Sequence, residues 1–366
     1  MTTFRYAPPD FTASVLASAP DARFVPAPDH GVLPEGFFAT SNLPTYVKHA
    51  GAWRRPREPR MDGAIIRRAD GDLVVRELRR VAAGDLVAVG QTEDGTEGFF
   101  VHSEGFLGGS HSANEFSFMS TPVSRERPVN YENLARMLGE ERRRGGYIVW
   151  VAGPALVHSR ARRDLVWFIE NGYVHAFLGG NAIAVHDLEA ALFGTTLGMT
   201  ATGESTTGGH GLHMRAINEI RRAGSIETAV ERALIGDGIM HALVRRGVPY
   251  VLAGSIRDDG PLPSVIVDAA AAQDAMREHT VRATFAVFVA TALHAIAVGN
   301  MLPAFVETGT DDIRPLATIC VDQTEFVVNK LRDRGTHQAF GVVTNAQDFM
   351  HVLRFYVERW EQASRS

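Results

Sequence analysis

Short, almost wholly apolar runs recur through the second half of the chain. They lie at residues 147–151, 174–178, 249–252, 285–289, 317–321 and 339–343, and helix-like segments follow at 158–171, 184–192 and 325–334. Continuous apolar strands that alternate with helices are typical of a parallel sheet covered on both faces. Six such units predict an α/β protein with a doubly wound, mostly parallel, Rossmann-like sheet.

The first part of the chain has a different pattern. Residues 1–44 are rich in Pro and Phe, and short β-like runs at 64–68, 73–78 and 85–89 are separated by Gly and Asp turns. Residues 90–111 hold many Gly, Ser and Glu residues and suggest an exposed insertion, and residues 131–144 suggest a linker or packing helix. We predict a smaller β-rich domain over residues 1–130 and the α/β domain over residues 131–366.

The composition is that of an ordinary globular protein with a sizeable core. Hydrophobic residues make up 45% of the chain and charged residues 22%, and the formal net charge is −5. This charge gives no electrostatic reason to expect a nucleic-acid partner. Lys48 and Lys330 are the two lysines, so a Schiff-base mechanism would have only two candidate residues.

The cysteine content and the length of the apolar stretches indicate the cellular compartment. Cys320 is the single cysteine, which excludes an intrachain disulfide framework, and its apolar neighbours favour a buried structural thiol. The first ten residues lack a basic region followed by an apolar core. The longest apolar stretch, residues 283–299, is shorter than a membrane span and contains Thr291 and His294. We expect a cytoplasmic protein with no membrane partner.

Small and polar residues cluster after the predicted strands. In an open parallel sheet, ligands bind beyond the carboxyl ends of the strands, where glycine lets a ligand approach the backbone. The clusters predict a nucleotide site, although turns between strands and helices use glycine in any case. Their members are Gly153, Gly179, Gly180, Asn181, Gly254, Ser255, Gly299, Asn300 and Asp322.

Asp322 makes the nucleotide prediction more specific. An acidic residue at a strand end commonly accepts both ribose hydroxyls of the NAD adenosine, and it would repel the 2′-phosphate of NADP. We therefore expect NAD as the cofactor. No G-x-G-x-x-G follows any predicted strand, and residues 208–211 do not have its spacing. The diphosphate must then be held by a different set of loops.

Two further groups could bind an amino-acid substrate. In the first, residues 254–263 are dense in charge, and Arg257 could hold a carboxylate while Asp258 accepts a proton or binds an ammonium; a solvated turn is the alternative. In the second, Asn42, Arg60 and Asp62 lie between apolar segments of the first domain and could reach a cleft between the domains.

Histidines offer weaker signals. His210 and His213 could bind a metal together with His186 or Asp187, but the spacing fixes no third ligand, and we predict no metal site. His294 lies within an apolar helical segment, which favours a core histidine over a catalytic one.

Several stretches that span nearly the whole chain resemble one family. They are residues 31–37, 40–45, 60–62, 153–158, 180–187, 252–263, 294–303 and 330–335. The sequence is similar to the archaeal-type ornithine cyclodeaminases, a family also labelled the lysine-ketoglutarate reductase/saccharopine dehydrogenase conserved region. It also resembles the C-terminal part of the cyanobacterial arginine dihydrolase/ornithine cyclodeaminase.

The resemblance implies an NAD-containing lyase that converts ornithine into proline and ammonia, hence a role in proline biosynthesis. It implies a deoxyhypusine-synthase-like nucleotide fold, which would explain the missing glycine fingerprint, and we expect a homo-oligomer. Arg60 or Arg257 would bind the substrate carboxylate, Asp62 or Asp258 would act as base or ammonium partner, and Asn42 would orient the substrate. The NAD contacts would be Gly153, Pro154, Gly180, Asn181, Ala182, Gly254, Ser255, Asp259, Gly299, Asn300, Met301 and Asp322.

Some positions depart from the family's pattern. Gln323 and Thr324 follow Asp322 in place of the residues expected there, and Gly63 and Ala295 also differ from the residues expected at their positions. Residues 306–316 suggest an added loop, and the segment at residues 90–114 is longer than usual. A related basic amino acid is therefore an alternative substrate. Two other functions stay open, namely an NAD-dependent amino-acid dehydrogenase or reductase and a non-catalytic nucleotide- or amino-acid-binding protein.

Overall fold

A computed structural model describes residues 5–107, 129–200, 202–309, 312–324 and 338–364. The predicted helix at 325–334 and the motif at 330–335 lie outside these residues, as does part of the segment 90–114. Within them the strands are β1 (Arg5–Tyr6), β2 (Arg23–Pro26), β3 (Thr45–His49), β4 (Ala52–Arg54), β5 (Ala64–Arg67), β6 (Leu73–Arg76), β7 (Leu86–Val89), β8 (Phe99–Val101), β9 (Phe106–Leu107), β10 (Ile148–Ala152), β11 (Ala176–Gly180), β12 (Thr195–Thr196), β13 (Met199–Thr200), β14 (Tyr250–Ala253), β15 (Val265–Ile266), β16 (Phe285–Val289), β17 (Phe305–Glu307), β18 (Ile313–Pro315), β19 (Ala317–Asp322) and β20 (Gln338–Val343).

Helices connect most strands of the second half. The described α-helices are α1 (Ser14–Ser18), α2 (Tyr131–Arg143), α3 (Ala155–His158), α4 (Arg162–Glu170), α5 (Asn181–Phe193), α6 (Leu212–Ala223), α7 (Ile226–Glu231), α8 (Ile239–Arg246), α9 (Ala269–Thr280), α10 (Ala292–Met301) and α11 (Ala346–Ala363). Four of them are preceded by a residue whose side chain accepts a hydrogen bond from a backbone N–H of the first turn: Asn130 at α2, Ser225 at α7, Asp268 at α9 and Asn345 at α11. Such caps satisfy amide donors that have no partner inside the helix.

The chain divides into two compact units. The first contains residues 1–127, 300–316 and 334–338, and the second contains residues 128–299, 317–333 and 339–366. Our predicted boundary assigned residues 300–316 to the α/β domain. They group with the first unit because Ala304, Phe305 and Ile313 share a buried cluster with Tyr6.

The second unit contains the predicted parallel sheet. Its seven strands lie in the order β15-β14-β11-β10-β16-β19-β20, and the described pairings from β15 to β19 are all parallel. Apart from the short edge strand β15, the order is that of a Rossmann fold, with β10 as its first strand. The predicted fold class is confirmed.

Apolar residues bury the centre of this sheet. Every residue of β10, β11 and β16 is buried, as a sheet covered by helices on both faces requires. Trp150 in β10 is fully buried, and its indole Nε1 donates to the Tyr173 carbonyl oxygen at 2.9 Å. This bond lets a large aromatic ring enter the core without an unpaired donor.

The first unit is rich in strands, as predicted. Strands β2, β7, β5 and β6 form one antiparallel sheet, and β4, β3 and β8 form another. The rings of Phe38 and Phe99 stack 4.3 Å apart in its core. Most of residues 91–97 are exposed, but the prediction of an exposed insertion at residues 90–111 was wrong at β8, which begins at the fully buried Phe99. The expected added loop at residues 306–316 is likewise largely the hairpin of β17 and β18.

Other expectations concern single residues and the membrane. Cys320 is buried, and burial raises the pKa of its thiol to about 12, so it is a protonated core residue at neutral pH. In the described ranges, no helix has both the length and the apolar character needed to cross a bilayer.

Candidate functional site

The strand order reverses between β10 and β16. From β10 the chain proceeds to β11, β14 and β15 on one side of the sheet and then returns to β16, β19 and β20 on the other. In open parallel sheets, connections on the two sides of such a point leave in opposite directions, and ligands bind beyond the carboxyl ends of the two strands. The candidate site is therefore built from the residues that follow β10, β11, β14, β16 and β19.

Gly153, the residue after β10, lets the backbone at the end of β10 approach the backbone at the end of β16 closely. A Cβ atom on Gly153 would lie 2.0 Å from the carbonyl oxygen of Ala290, the residue after β16. Gly153 also donates its N–H to the Val289 carbonyl oxygen at 3.0 Å. Only glycine fits at this distance, and the close approach holds the ends of β10 and β16 together at the reversal point. Pro154 follows Gly153 and lies directly before α3.

A polar network connects the ends of β11 and β14. Asn181, the first residue of α5, is buried, and its Nδ2 donates to Asp258 Oδ1 at 3.2 Å while its Oδ1 accepts from Leu262 N at 3.1 Å. Asp258 Oδ2 accepts from Ser255 N at 2.7 Å. The structure thus brings Asn181, at one predicted strand end, together with Ser255 and Asp258, at another.

The charged neighbours of this network have different exposures. Arg257 and Asp259 are exposed on the same loop, whereas Asp258 is half-buried. Asp258 is fixed by two hydrogen bonds, and Arg257 is bonded here through its backbone N–H, which donates to Ser255 Oγ at 3.3 Å. The loop therefore presents a fixed carboxylate beside a solvated guanidinium, an arrangement suited to a ligand with both ammonium and carboxylate groups.

His294 lies close to this network, although the sequence favoured a core histidine at this position. A Cβ atom on Gly180 would lie 2.7 Å from His294 Cε1, so the imidazole covers the end of β11. His294 Nδ1 lies 3.5 Å from Thr291 Oγ1. Burial lowers the pKa of His294, and the nearby Asp258 charge raises it in part. The available signal was its position in the first turn of the helix that follows β16.

Asp322 ends β19, on the far side of the reversal point. Its Oδ1 accepts from the backbone N and from Oγ1 of Thr324, each at 2.9 Å. In the usual Rossmann fold the ribose-binding acid follows the second strand, whereas Asp322 follows the fifth. Three strand spacings, roughly 14 Å, separate its strand from β11.

Three predicted cofactor residues do not lie at a strand end. Gly299, Asn300 and Met301 form the last turn of α10, roughly 10 Å along the helix from its first residue. Met301 is 1% exposed. The strand before them ends at Val289, so our assignment of this cluster to a strand end was wrong. The helix after this strand was itself expected to end near Gly299 and Asn300, and it ends at Met301.

The candidate residues of the first unit surround Thr40. Its Oγ1 donates to the Arg60 carbonyl oxygen at 2.8 Å and accepts from Gly63 N at 3.0 Å, while its carbonyl oxygen accepts from Asp62 N at 3.0 Å. Asn42 is buried two residues later, and its carbonyl oxygen accepts from Ala304 N at 2.9 Å. The loops at residues 40–42 and 60–63 are therefore held together.

Arg60 and Asp62 differ in their surroundings. Arg60 is 5% exposed; its Nη1 donates to Glu77 Oε1 at 2.5 Å and its Nε to the Met61 carbonyl oxygen at 3.1 Å. These contacts engage its guanidinium inside the first unit. Asp62 is exposed and has a left-handed backbone conformation with φ +59°.

Asp187 and His186, which were considered as metal ligands, contact other parts of the protein. Both carboxylate oxygens of Asp187 accept from the backbone at the start of α8, from Ile239 N and Met240 N. The rings of His158 and His186 lie 4.5 Å apart, and burial lowers the pKa of His186 to about 4. Within the described ranges, no group of three or more His, Cys, Asp or Glu side chains is arranged to hold a metal ion.

Comparison with known families matches most of the chain. Residues 132–353 match the family described as arginine dihydrolase ArgZ-like, C-terminal, Rossmann fold. Residues 44–132 match the first region of the same C-terminal part. The junction between the two matches coincides with the start of α2.

Known proteins extend this likeness. An ornithine cyclodeaminase of Methanopyrus kandleri is 45% identical over 342 residues, covering 91% of this chain and 77% of its own. The crystal structure of a conserved putative LOR/SDH protein from Methanococcus maripaludis S2 has a TM-score of 0.83 and 38% identity, covering 93% of this chain and 99% of its own.

A further solved structure contains ligands. It is the ternary complex of AgrE with ornithine and NAD+, with a TM-score of 0.59 and 36% identity, covering 94% of this chain and 47% of AgrE. These likenesses, together with the two regions matched in order, confirm the resemblance seen in the sequence. The chain belongs to the ArgZ-like C-terminal family, and it is also similar to archaeal ornithine cyclodeaminases.

Proposed function

We propose that this protein is an NAD-dependent enzyme that converts ornithine into proline and ammonia. The observation that carries the proposal is the set of polar side chains at the carboxyl ends of the sheet, in a chain 36% identical to AgrE, which was crystallised with ornithine and NAD+. Proline as product is the finer part of the proposal, and it rests on the chemistry of closing ornithine into a ring with loss of ammonia and no net oxidation.

The residues at this edge fit a dinucleotide. Helix α5 begins at Asn181, directly after β11. The residue before the helix, Gly180, has no side chain to cap it, so the first N–H groups of α5 are suited to bind a phosphate. Ala182 lies in this first turn. Asp322, on the opposite side of the reversal point, would accept from a ribose diol and would disfavour a 2′-phosphate. The proposal assigns Asp322 to one of the two riboses without choosing between them.

The substrate would contact the loop after β14. The Arg257 guanidinium would bind the carboxylate of the amino acid through two hydrogen bonds, and the Asp258 carboxylate would hold an ammonium group. Asn181 and Ser255 fix Asp258 in place, so it would present its charge without reorganisation. The orienting role of Asn42, and that of Asp62 as an alternative base, rest on the resemblance alone.

The reaction is redox-neutral overall. When bound, NAD+ supplies a hydride acceptor that later returns the hydride. The substrate amine must lose a proton before its α-carbon can give up hydride, because a protonated nitrogen cannot form the imine. The side-chain amine then attacks the imine carbon, the original α-nitrogen leaves as ammonia, and the returned hydride gives proline. The protein's residues would bind the carboxylate, accept the proton and exclude water.

An assay with the purified protein separates this proposal from its alternatives. With ornithine and a trace of NAD+, we expect ammonia and proline in equal amounts, with no lasting absorbance at 340 nm. Accumulation of NADH in step with ornithine consumption would indicate an amino-acid dehydrogenase instead. Thermal stabilisation by NAD+ or ornithine without any turnover would indicate a binding protein. The same assay with lysine and arginine tests the substrate.

A further inference from the structure

We propose that the imidazole of His294 accepts the proton that an ammonium group of the bound amino acid loses during the reaction. The assignment deepens the proposed function and rests on it. Neither the sequence pattern nor the names of the relatives assigns a role to this residue, which the sequence alone placed in the core.

The position of His294 is the first support. It lies in the first turn of α10 after β16, yet its ring covers Gly180 at the end of β11, with Cε1 2.7 Å from the place where a Cβ would stand. Strand β10 lies between those two strands in the sheet. The imidazole therefore crosses the carboxyl end of the first strand, which is the reversal point where a ligand of this fold binds.

The hydrogen bonding of the ring is the second support. A core histidine normally satisfies both ring nitrogens with protein groups. Among the described residues, Thr291 Oγ1 is the group near a ring nitrogen, and it lies at the long distance of 3.5 Å from Nδ1. The imidazole is half-buried, and among the described residues none hydrogen-bonds to its Nε2 atom.

The charges around the ring are the third support. In the described part of the chain, Asp258 is the charged group that acts on His294, and it approaches from the loop after β14. A carboxylate beside the imidazole attracts an ammonium and repels a phosphate, so the position suits the amino acid rather than the diphosphate of the cofactor. The same carboxylate would stabilise the imidazolium after proton transfer, as the acid of a catalytic triad does.

The protonation state of the ring agrees with an acceptor role. Burial lowers the pKa of His294 below its ordinary value of 6.5, so the ring is neutral at pH 7. In the step itself, an N–H bond of the substrate ammonium breaks, its electron pair remains on nitrogen, and the proton joins an imidazole nitrogen. The next step, the loss of hydride from the α-carbon, then starts from a neutral amine.

The test compares His294→Gln with His351→Gln, a matched control at a position whose side chain is 77% exposed. Calorimetry measures NAD+ affinity, and the rates are measured at saturating NAD+ from pH 5 to 9. We expect H294Q to bind NAD+ within twofold of the unmodified protein and to lose roughly 10²- to 10⁴-fold in kcat, the usual contribution of a general base. Because the pKa of His294 is lowered, kcat/KM of the unmodified protein should fall only on the acid side of pH 6.5, and this fall should be absent in H294Q, where position 294 holds no imidazole to be protonated. H351Q should match the unmodified protein in all three measurements.

A second measurement does not depend on turnover. The proton signal of the His294 ring, assigned by its absence in H294Q, should shift when ornithine is added to the protein and should not shift with an uncharged amide analogue. A ring signal insensitive to ornithine would overturn the assignment, as would an H294Q protein that keeps kcat within threefold and retains the acid limb. An H294Q protein with weakened NAD+ affinity but normal kcat would also overturn it, in favour of a cofactor contact. If the unmodified protein releases no ammonia from ornithine, the proposed function fails separately, whatever the ring signal does.

Discussion

Single side chains at the sheet edge have roles that depend on which strand they follow. Asp322 was selected from the sequence because it is an acid at a strand end, and the structure places it after the fifth strand of the Rossmann order. Its Oδ1 is held by Thr324, which orients the carboxylate. An oriented carboxylate costs little to position against a ribose diol, so we expect it to contribute to cofactor affinity.

Replacing Asp322 with Asn tests this role. The amide cannot accept two hydrogen bonds from a diol as a charged group, so we expect NAD+ affinity to fall roughly 10- to 100-fold, since hydrogen bonds to charged groups contribute about 1.5–3 kcal/mol. Calorimetric titration with NAD+ measures the change. Thr324→Ala is the matched control, because it removes one donor to Asp322 but keeps the carboxylate, and its affinity should stay within threefold. Equal affinity in D322N and the unmodified protein would show that Asp322 does not bind NAD+.

The sequence predicted the site residues unevenly. Asn181, Ser255 and Asp258 were found because each follows a predicted strand, and strand ends can be read from the apolar runs. His294 was assigned to the core because the pattern of an apolar helix does not show which of its residues face the sheet edge. The ion pair of Arg60 with Glu77 could not be predicted either, since it joins residues that only the folding of the first unit brings together.

At the scale of elements, Asp187 connects three helices of the second unit. It lies in α5, is fully buried, and accepts from Ile239 N and Met240 N at the start of α8. Arg162 at the start of α4 donates to the same carboxylate through Nε at 2.5 Å. The residue before α8 is Gly238, which has no side chain to cap the helix, so Asp187 supplies the cap from another element.

Substitution of Asp187 with Asn should destabilise the second unit. The change removes the charge that pairs with the largely buried Arg162, and it leaves a backbone donor of α8 without a charged acceptor. We expect a loss of about 3 kcal/mol in the free energy of unfolding, the usual effect of breaking a buried pair. Urea unfolding followed by tryptophan fluorescence measures it.

Glu219→Gln is the control for that substitution. Glu219 pairs with Arg222 on an exposed helix face, where loss of the pair should change stability by less than about 1 kcal/mol. If the two variants unfold at the same urea concentration, Asp187 does not stabilise α8 as described.

Long, continuously apolar strands were predicted well, and short or half-buried elements were not. Strands β10, β11, β16 and β19 lie within two residues of their predicted positions. The short strand β8 was missed because Gly and Glu residues surround it, although Phe99 anchors it in the core. Its burial depends on stacking with Phe38, a contact between distant parts of the chain that no local pattern contains.

At the scale of the molecule, the fold class could be predicted because alternation of apolar strands and helices restricts the topology to a few choices. The strand order, and with it the reversal point between β10 and β16, needed the structure. The return of residues 300–316 to the first unit also could not be read from the sequence, because it depends on a buried cluster with Tyr6. Homo-oligomer formation and cytoplasmic location stay predictions.

A crystal structure of this chain grown with NAD+ and ornithine tests the central claim most directly. We predict the dinucleotide along the carboxyl ends of β11, β10, β16 and β19, with a phosphate at the start of α5 and a ribose diol at Asp322. The amino acid should lie beside Asp258 and His294. A dinucleotide bound away from these strand ends, or an empty crevice in crystals that contain NAD+ elsewhere on the protein, would contradict the account.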